Sequence, residues 1–408
     1  IRSYDKPGPR YTSYPTAPQF KGPFGEAGLD GILALGEGMD PRPGLSIYVH
    51  VPFCKRQCLY CGCNTIPRAD RDEIGSYAAT LLVEIDRVLG RLKPGRVVHQ
   101  VHIGGGTPAL LTTTEVAAIR DGIERHAPIA PDAEVSVELD PRSVGEGYLS
   151  ALREIGFNRV SYGVQDLHPM VQKAIGRIQP PELTERVVRE SREVGFESVN
   201  LDLIYGLPYQ TRTTFADTVR GVLAFQPDRV ALFNFALVPH LKPHQKLMPL
   251  DQAPDVDERL AIFLDTVDAF ATAGFRFLGL DHFARPDDEL ARAFEAGRLH
   301  RNFQGYTARA GLEVLAFGAS AITQVEGGFA QNARAPEVWE KAIRGGGLAL
   351  ERGLATTSDD RIRRAVIDGI MCNQHVAFAE IEARFGIDFE AYFGGFRAAL
   401  EPMAKDNL

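Results

Sequence analysis

Four of the chain's five cysteines fall within ten residues, at Cys54, Cys58, Cys61 and Cys63; the fifth, Cys372, stands far downstream. Thiolates spaced C-x3-C-x2-C can wrap one metal centre without help from elsewhere in the chain. A structural zinc site draws on two separated C-x2-C knuckles and closes with four ligands, and no second knuckle is present. A cubane iron–sulfur cluster takes four thiolates. Three would leave one iron open, and an open coordination position is what a catalytic metal needs. Cys63 follows Cys61 too closely to reach another corner of the same cube. The spacing therefore favours a three-thiolate cluster, with zinc, a disulfide or inert thiols as the alternatives.

The elements that must position these thiols are legible as a strand–helix alternation. Leu45–Val51 alternates β-branched and aromatic residues and is ended by Pro52, so the cysteine loop follows a strand. A helical repeat runs from Ile74 to Leu89. Further strands are expected at 97–103, 134–139, 159–164, 199–204 and 229–235. Helices stand between them, including one opened by the capping-box pattern Thr112 to Glu115. Such alternation implies a parallel sheet with right-handed crossovers. Six units are too few for a closed eight-stranded barrel, so the expected fold is α/β, an open partial (β/α)6 barrel.

Chemistry in such folds sits at the C-terminal ends of the strands. Gly104, Gly105, Gly106, Thr107 and Pro108 follow the second strand, where glycine lets backbone N–H groups approach a ligand. A plain tight turn is the competing reading. The run is neither a Walker loop nor a dinucleotide fingerprint, since the Lys and the G-x-G-x-x-G spacing are absent. Glu138, Gln165, Asp202 and Asn234 close the later strands. Singly each could be a helix cap or a solvated residue; together they form a polar rim.

Residues 1–44 are rich in Pro and Gly and read as an extended N-terminal arm over the active site. Residues 45–330 read as the catalytic barrel and its extension. Residues 331–408 read as a small helical domain, incomplete at its end, with Ile362, Val366, Ile367 and Ile370 on one core-facing stripe. The formal net charge of −8 gives no support for nucleic-acid binding. No apolar run approaches the ~20 residues of a membrane helix, and clustered thiols without a secretion signal point to the cytoplasm. A monomer is expected. His240, His244 and His282 lack metal-ligand spacing and read as ordinary loop or core residues; His50, beside the cysteine loop, is left open.

The pattern Cys54, Cys58, Tyr60, Cys61 resembles the signature of the radical S-adenosylmethionine (radical SAM) superfamily. Within it the chain resembles the oxygen-independent coproporphyrinogen III oxidases nearly end to end. The markers are Pro9 to Ala17, Tyr48 to Cys63, Gly104 to Pro108, Gly163 to Asp166, Asp202 to Pro208, Asp281 to Pro286 and His300 to Thr307. The resemblance implies that Cys54, Cys58 and Cys61 ligate a [4Fe–4S] cluster whose open iron chelates SAM, with Cys63 close by and not ligating. It places a first SAM against Tyr48, Tyr60, Gly105 and Glu138. A second SAM falls to Gly106, Thr107, Gln165, Arg177, Asp202, Ala236 and Ile322. Phe303 and Gln304 match positions linked to activity near the substrate, so Tyr48, Cys63, Glu138, Phe303 and Gln304 form the expected catalytic set.

The implied reaction converts two propionates of coproporphyrinogen III to vinyl groups, with a low-potential donor such as flavodoxin or ferredoxin supplying electrons. The substrate's carboxylates call for charge-assisted partners, for which the N-terminal arm and Arg285 or Arg301 are the sequence's candidates. Ile103 and Tyr162 depart from the family pattern without touching a cluster ligand. The rival readings are a haem chaperone of the same superfamily, another tetrapyrrole-acting radical SAM protein, and a structural zinc protein. The arm with Tyr11 to Thr16, together with Cys63, separates the chain from the chaperones.

Overall fold

The structure, a computed structural model, describes residues 13–406; the expected arm residues Pro9, Arg10, Tyr11 and Thr12 lie outside them. Six strands run parallel and in chain order: β1 (Leu45–Val51), β2 (Val98–Gly105), β3 (Ile129–Leu139), β4 (Arg159–Gln165), β5 (Ser198–Tyr205) and β6 (Arg229–Asn234). Helices return the chain between them, among them Arg71–Leu89 and Thr113–Glu124, the latter opened by the Thr112–Glu115 capping box. The expected α/β fold with six parallel βα units is present.

Side-chain alternation shapes this sheet. In β1, Leu45, Ile47, Val49 and Val51 are fully buried on one side, while Ser46 and Tyr48 stand on the other, as a period of two requires. Because paired residues share a face, Tyr48 continues into His102 and Ser136 across β2 and β3. One face is thus apolar under the helices. The other is polar and faces the interior of the open barrel.

Beyond β6 the sheet turns antiparallel. β7 (Arg276–Gly279) and β8 (His282–Ala284) extend it past β6, and β9 (His300–Arg301) with β10 (Tyr306–Thr307) forms a separate ribbon. The chain then crosses to the opposite side. There β11 (Glu313–Phe317) pairs in parallel with β1, followed by β12 (Ile322–Val325), β13 (Gly328–Asn332) and β14 (Leu350–Ala355) in antiparallel order.

Two expectations need correcting. The segment before residue 45 is not wholly extended: Gly25–Glu37 is a helix that buries Leu29, Ile32 and Leu33. Four glycines in it obscure the helical period, since glycine is a poor helix former. Tertiary contacts supply what propensity lacks: buried Arg96 bridges Glu37 at 2.6 Å and Glu313 at 2.7 Å. The boundary at 330/331 falls inside β13, because the sheet continues to Ala355 before helix Ser358–Asn373 begins. In that helix Ile362 is buried but Ile370 is exposed, so the expected stripe is only partly core.

Candidate active site

Pro52 ends β1 and sends the chain into a loop closed at its base. The Cys54 amide donates to the Ile66 carbonyl at 2.9 Å, and the Ile66 amide donates to Pro52 at 2.7 Å. Leu59 and Tyr60 pack on a small apolar cluster of Val171, Ile175, Ile204, Leu207 and Met248. The segment after β6 clasps the loop from outside. Gln245 donates to the Tyr60 carbonyl at 3.0 Å, His244 bonds the Cys61 carbonyl at 2.9 Å, and Lys242 donates to the Cys63 carbonyl. His244, expected to be an ordinary loop residue, is thus one of the loop's supports.

All four clustered cysteines line one cavity of about 700 Å³ at the C-terminal ends of β2 to β6. Tyr60, Gly105, Gly106, Thr107, Glu138, Gln165, Arg177, Asp202, Asn234 and Ala236 line it as well. Tyr48, Phe303, Gln304 and Ile322 are not in its wall. Tyr48 lies beside it, its ring stacked on His102 at 5.8 Å. Gln304 lines a neighbouring cavity of about 160 Å³ that shares Glu138, Asp202 and Phe233 with the first. Phe303 packs between Phe20 and Phe329, and Ile322 stands on β12.

The thiols differ in their surroundings. Burial pushes the Cys54 thiol up to about 11, against a hydrogen bond from the Thr107 hydroxyl at 3.5 Å. Hydrogen bonding with Cys63 holds Cys61 down at about 6, whereas Cys63 is driven well above its ordinary value by that same contact. Cys58 is approached by two guanidinium groups, Arg177 at 3.6 Å and Arg142 at 3.7 Å. Asp140 orients both arginines, at 3.2 and 2.7 Å. Burial would raise the Asp140 carboxyl, but Arg177 and Arg142 outweigh it and hold the group below the usual carboxylate range. The sequence reading missed Asp140 and Arg142. Their only local signal is a carboxylate just past β3 with an arginine two residues later.

Two carboxylates complete the cavity's electrostatics. Glu138 accepts from the Gly105 amide at 3.0 Å and pairs with His102 at 3.0 Å. Burial opposes its charge, yet the His102 contact keeps its carboxyl below the ordinary range. Asp202 goes the other way. Burial and the nearby charge of Glu138 push it up to about 7, although Asn200 at 2.7 Å and Ser161 at 3.2 Å both donate to it. With Asp140, the cavity therefore holds two carboxylates whose neighbours favour the ionised form and one, Asp202, pushed up toward neutrality.

Backbone geometry aims the remaining groups. Gln165 has a left-handed φ of 69° at a bulge against β5. A Cβ on Gly163 would stand 2.8 Å from Gln165 Nε2 and 3.1 Å from Arg177 Nη2, so the bare glycine leaves both side chains their present positions. His50 Nε2 bonds the Asn64 carbonyl at 2.9 Å and its Nδ1 bonds the Tyr48 hydroxyl at 3.0 Å. A carbonyl only accepts, so Nε2 carries the proton and Nδ1 accepts from Tyr48. Burial lowers His50's affinity for a second proton; it braces the loop as a neutral ring. Cys372 is buried in a separate apolar cluster and pushed up to about 12 by burial, the environment of an inert thiol. Tyr162 is fully buried, its hydroxyl 2.7 Å from Ser191.

Among the described residues no three Cys, His, Asp or Glu side chains converge on a single ion position. A mononuclear site would need such convergence, whereas a cubane takes each thiolate on a different iron. Three thiols around one cavity, with N–H donors aimed at Cys58, fit the second requirement.

Comparisons with known proteins agree with this geometry. Residues 48–222 match the radical SAM superfamily and residues 356–408 the HemN C-terminal domain. An oxygen-independent coproporphyrinogen III oxidase from Pseudomonas aeruginosa is 44% identical over 413 aligned residues, covering 100% of this chain and 89% of that protein. The Escherichia coli K12 protein of the same name is 41% identical, covering 100% and 88%. The solved structure of E. coli coproporphyrinogen III oxidase (HemN), described as a radical SAM enzyme, superposes with a TM-score of 0.93 at 39% identity, covering 97% of this chain and 90% of that one. Similarity of this extent, in sequence and in fold together, places the chain in the oxygen-independent coproporphyrinogen III oxidase family of the radical SAM superfamily.

Proposed function

We propose that this chain carries out the oxygen-independent decarboxylation of two propionates of coproporphyrinogen III, giving the vinyl groups of protoporphyrinogen IX in haem biosynthesis. The observation that carries the reading is the single cavity that gathers Cys54, Cys58 and Cys61 with the glycine loop and the carboxylate rim. Cys54, Cys58 and Cys61 would hold a [4Fe–4S] cluster, with Cys63 beside it. When bound, the cluster and SAM supply the electron and the 5′-deoxyadenosyl radical that takes a hydrogen atom from the propionate β-carbon.

The chain's own residues bind and orient. Glu138, held by the Gly105 amide, would offer its carboxylate to the amino-acid end of the first SAM, with Gly105 beside it, Tyr60 on the loop and Tyr48 stacked on His102. Gly106, Thr107, Gln165, Arg177, Asp202 and Ala236 surround the space for a second SAM. Ile322 stands on β12, outside the wall of that cavity. Arg177 and Arg142 place positive charge and N–H donors at the Cys58 sulfur. Positioning the reacting carbon is the protein's share of such a reaction.

Of the arginines expected to meet propionates, Arg285 donates to the Pro227 carbonyl at 2.9 Å and covers Phe275, at the N-terminal end of β6 and away from the cavity. Arg301 is better placed. Its side chain is 10% exposed, two of its nitrogens have no hydrogen-bond partner, and it leads directly into Phe303 and Gln304. A flavodoxin or ferredoxin is the kind of donor this chemistry requires. No helix among the described residues is long and apolar enough to cross a membrane.

The test is anaerobic reconstitution followed by turnover of coproporphyrinogen III. Stepwise loss of carboxyl groups by mass spectrometry is the expected result. Release of deoxyadenosine at the parental rate by a Cys58→Ala protein would overturn the reading. Tight haem binding without turnover would favour the chaperone alternative, which the full-length oxidase relatives do not support.

A further inference from the structure

We infer that Arg352 and Arg364 form a carboxylate-binding subsite for the substrate's outlying propionates, on the polar face of the sheet beyond Tyr48. This rests on the proposed coproporphyrinogen III reading and deepens it. The register carries the argument. Tyr48 pairs with Ala316, Ile322 with Gln331, and Gln331 with Arg352. The antiparallel step from Val314–Gln324 sets Ala316 opposite Ile322. Residues opposite one another share a face, so one row of side chains runs from the cavity rim to Arg352. At about 4.8 Å per strand the row from Tyr48 to Arg352 is roughly 19 Å long.

The far end of that row is built from aromatic rings and guanidinium groups. Phe329 stands two residues from Gln331 on the same face. Phe20 stacks on it at 5.2 Å and Phe303 meets it edge-on at 5.8 Å. Arg352 lies 5.9 Å from the Phe20 ring centre and Arg364 lies 5.6 Å from that of Phe329. Gln331 accepts from Arg352 Nε at 2.7 Å, which fixes the guanidinium and leaves its terminal nitrogens for another acceptor. Arg364 is the stronger sign. Its Nε and Nη2 are buried without a hydrogen-bond partner, although Glu326 and Asp368 lie within electrostatic range. Buried polar groups are normally satisfied, and a guanidinium fork fits a carboxylate. Coproporphyrinogen III brings four carboxylates on an apolar ring system; here two cations are backed by the buried rings of Phe20 and Phe329, with Phe303 only half-buried beside them.

The experiment uses the anaerobically reconstituted full chain. Steady-state turnover of coproporphyrinogen III and quenching titrations with coproporphyrin III, the tetracarboxylate, and its neutral tetramethyl ester are measured for the parent, Arg364→Leu, Arg364→Lys and Arg352→Gln. Loss of one charge-assisted pair should raise KM and the tetracarboxylate Kd by about 10-fold or more, with kcat within about 3-fold. The lysine variant should recover part of the loss, and ester binding should not change. Iron content and melting temperature report that the variants are folded and loaded. Parental KM and Kd in folded Arg364→Leu and Arg352→Gln overturn the subsite. Should the parent bind the tetracarboxylate but fail to turn over coproporphyrinogen III, the enzymatic reading fails, while weaker binding by the variants still supports the arginines.

Discussion

The Gly106 amide donates to the Val51 carbonyl at 2.7 Å. That bond seats the glycine loop against the end of the strand that launches the cysteine loop, and it is possible only because Gly106 has no side chain. A Cβ there would stand 2.6 Å from the Phe53 carbonyl oxygen and 2.8 Å from Pro52, both backbone atoms that cannot swing aside. Gly106→Ala should therefore displace the cysteine loop and the thiols on it. Overpacking of this kind costs about 1–3 kcal/mol. Differential scanning calorimetry should show a lower melting temperature, and reconstitution should give less than the parental iron content. Full iron loading with an unchanged melting temperature would show that the two loops are not rigidly joined.

Arg177 and Arg142 both point N–H groups at Cys58, and Asp140 holds the pair in place. Positive charge and hydrogen bonds at a ligating sulfur favour the reduced, more negative cluster. Arg177→Met should lower the cluster's midpoint potential by on the order of tens of millivolts, measured by redox titration followed by electron paramagnetic resonance. Asp140→Asn should shift it the other way, because it removes an anion and keeps both cations near the sulfur. An unchanged potential in Arg177→Met would mean that the guanidinium serves Asp140 alone.

What the sequence made legible was local. Thiol spacing, the alternation in Leu45–Val51 and the glycine run after β2 depend on neighbours within a few residues, and the structure places them together. The polar rim was legible for the same reason: Glu138, Gln165 and Asn234 lie at or beside the C-terminal end of a strand, and only Asp202 sits deeper, within β5. What depended on distant partners stayed hidden. The pairing of Leu45 with Glu313 joins segments far apart in the chain, and no local pattern announces it. Helix Gly25–Glu37 is stabilised by Arg96 and the sheet rather than by its own glycine-rich sequence. The clasp of His244 on the Cys61 carbonyl is likewise a tertiary fact. So is the row that leads from Tyr48 to Arg352, which exists only once β11 to β14 are in register.

Helix Arg71–Leu89 carries a carboxylate that should make stability depend on pH. Glu84 is 2% exposed. It accepts from the Gly318 amide at 2.7 Å and from the Asn332 side chain at 2.6 Å, and so ties the helix to the turn between β11 and β12 and to the end of β13. Burial nevertheless dominates and pushes its carboxyl from 4.5 up to about 7. A carboxyl raised on folding contributes stability that is fully present below its unfolded value and is lost as pH rises through its folded value. With those two values, the contribution lost between pH 6 and pH 8 is on the order of 1 kcal/mol. Asp202 also titrates near 7 and adds to the parent's slope, so the comparison must be with a variant that keeps Asp202. Glu84→Gln meets that condition: it has no charge to gain. Urea unfolding of the apoprotein at pH 6 and pH 8 should show the parent losing on the order of 1 kcal/mol more than Glu84→Gln over this interval. Equal losses in the two proteins would place Glu84 in its ionised form throughout, held by its two donors against burial.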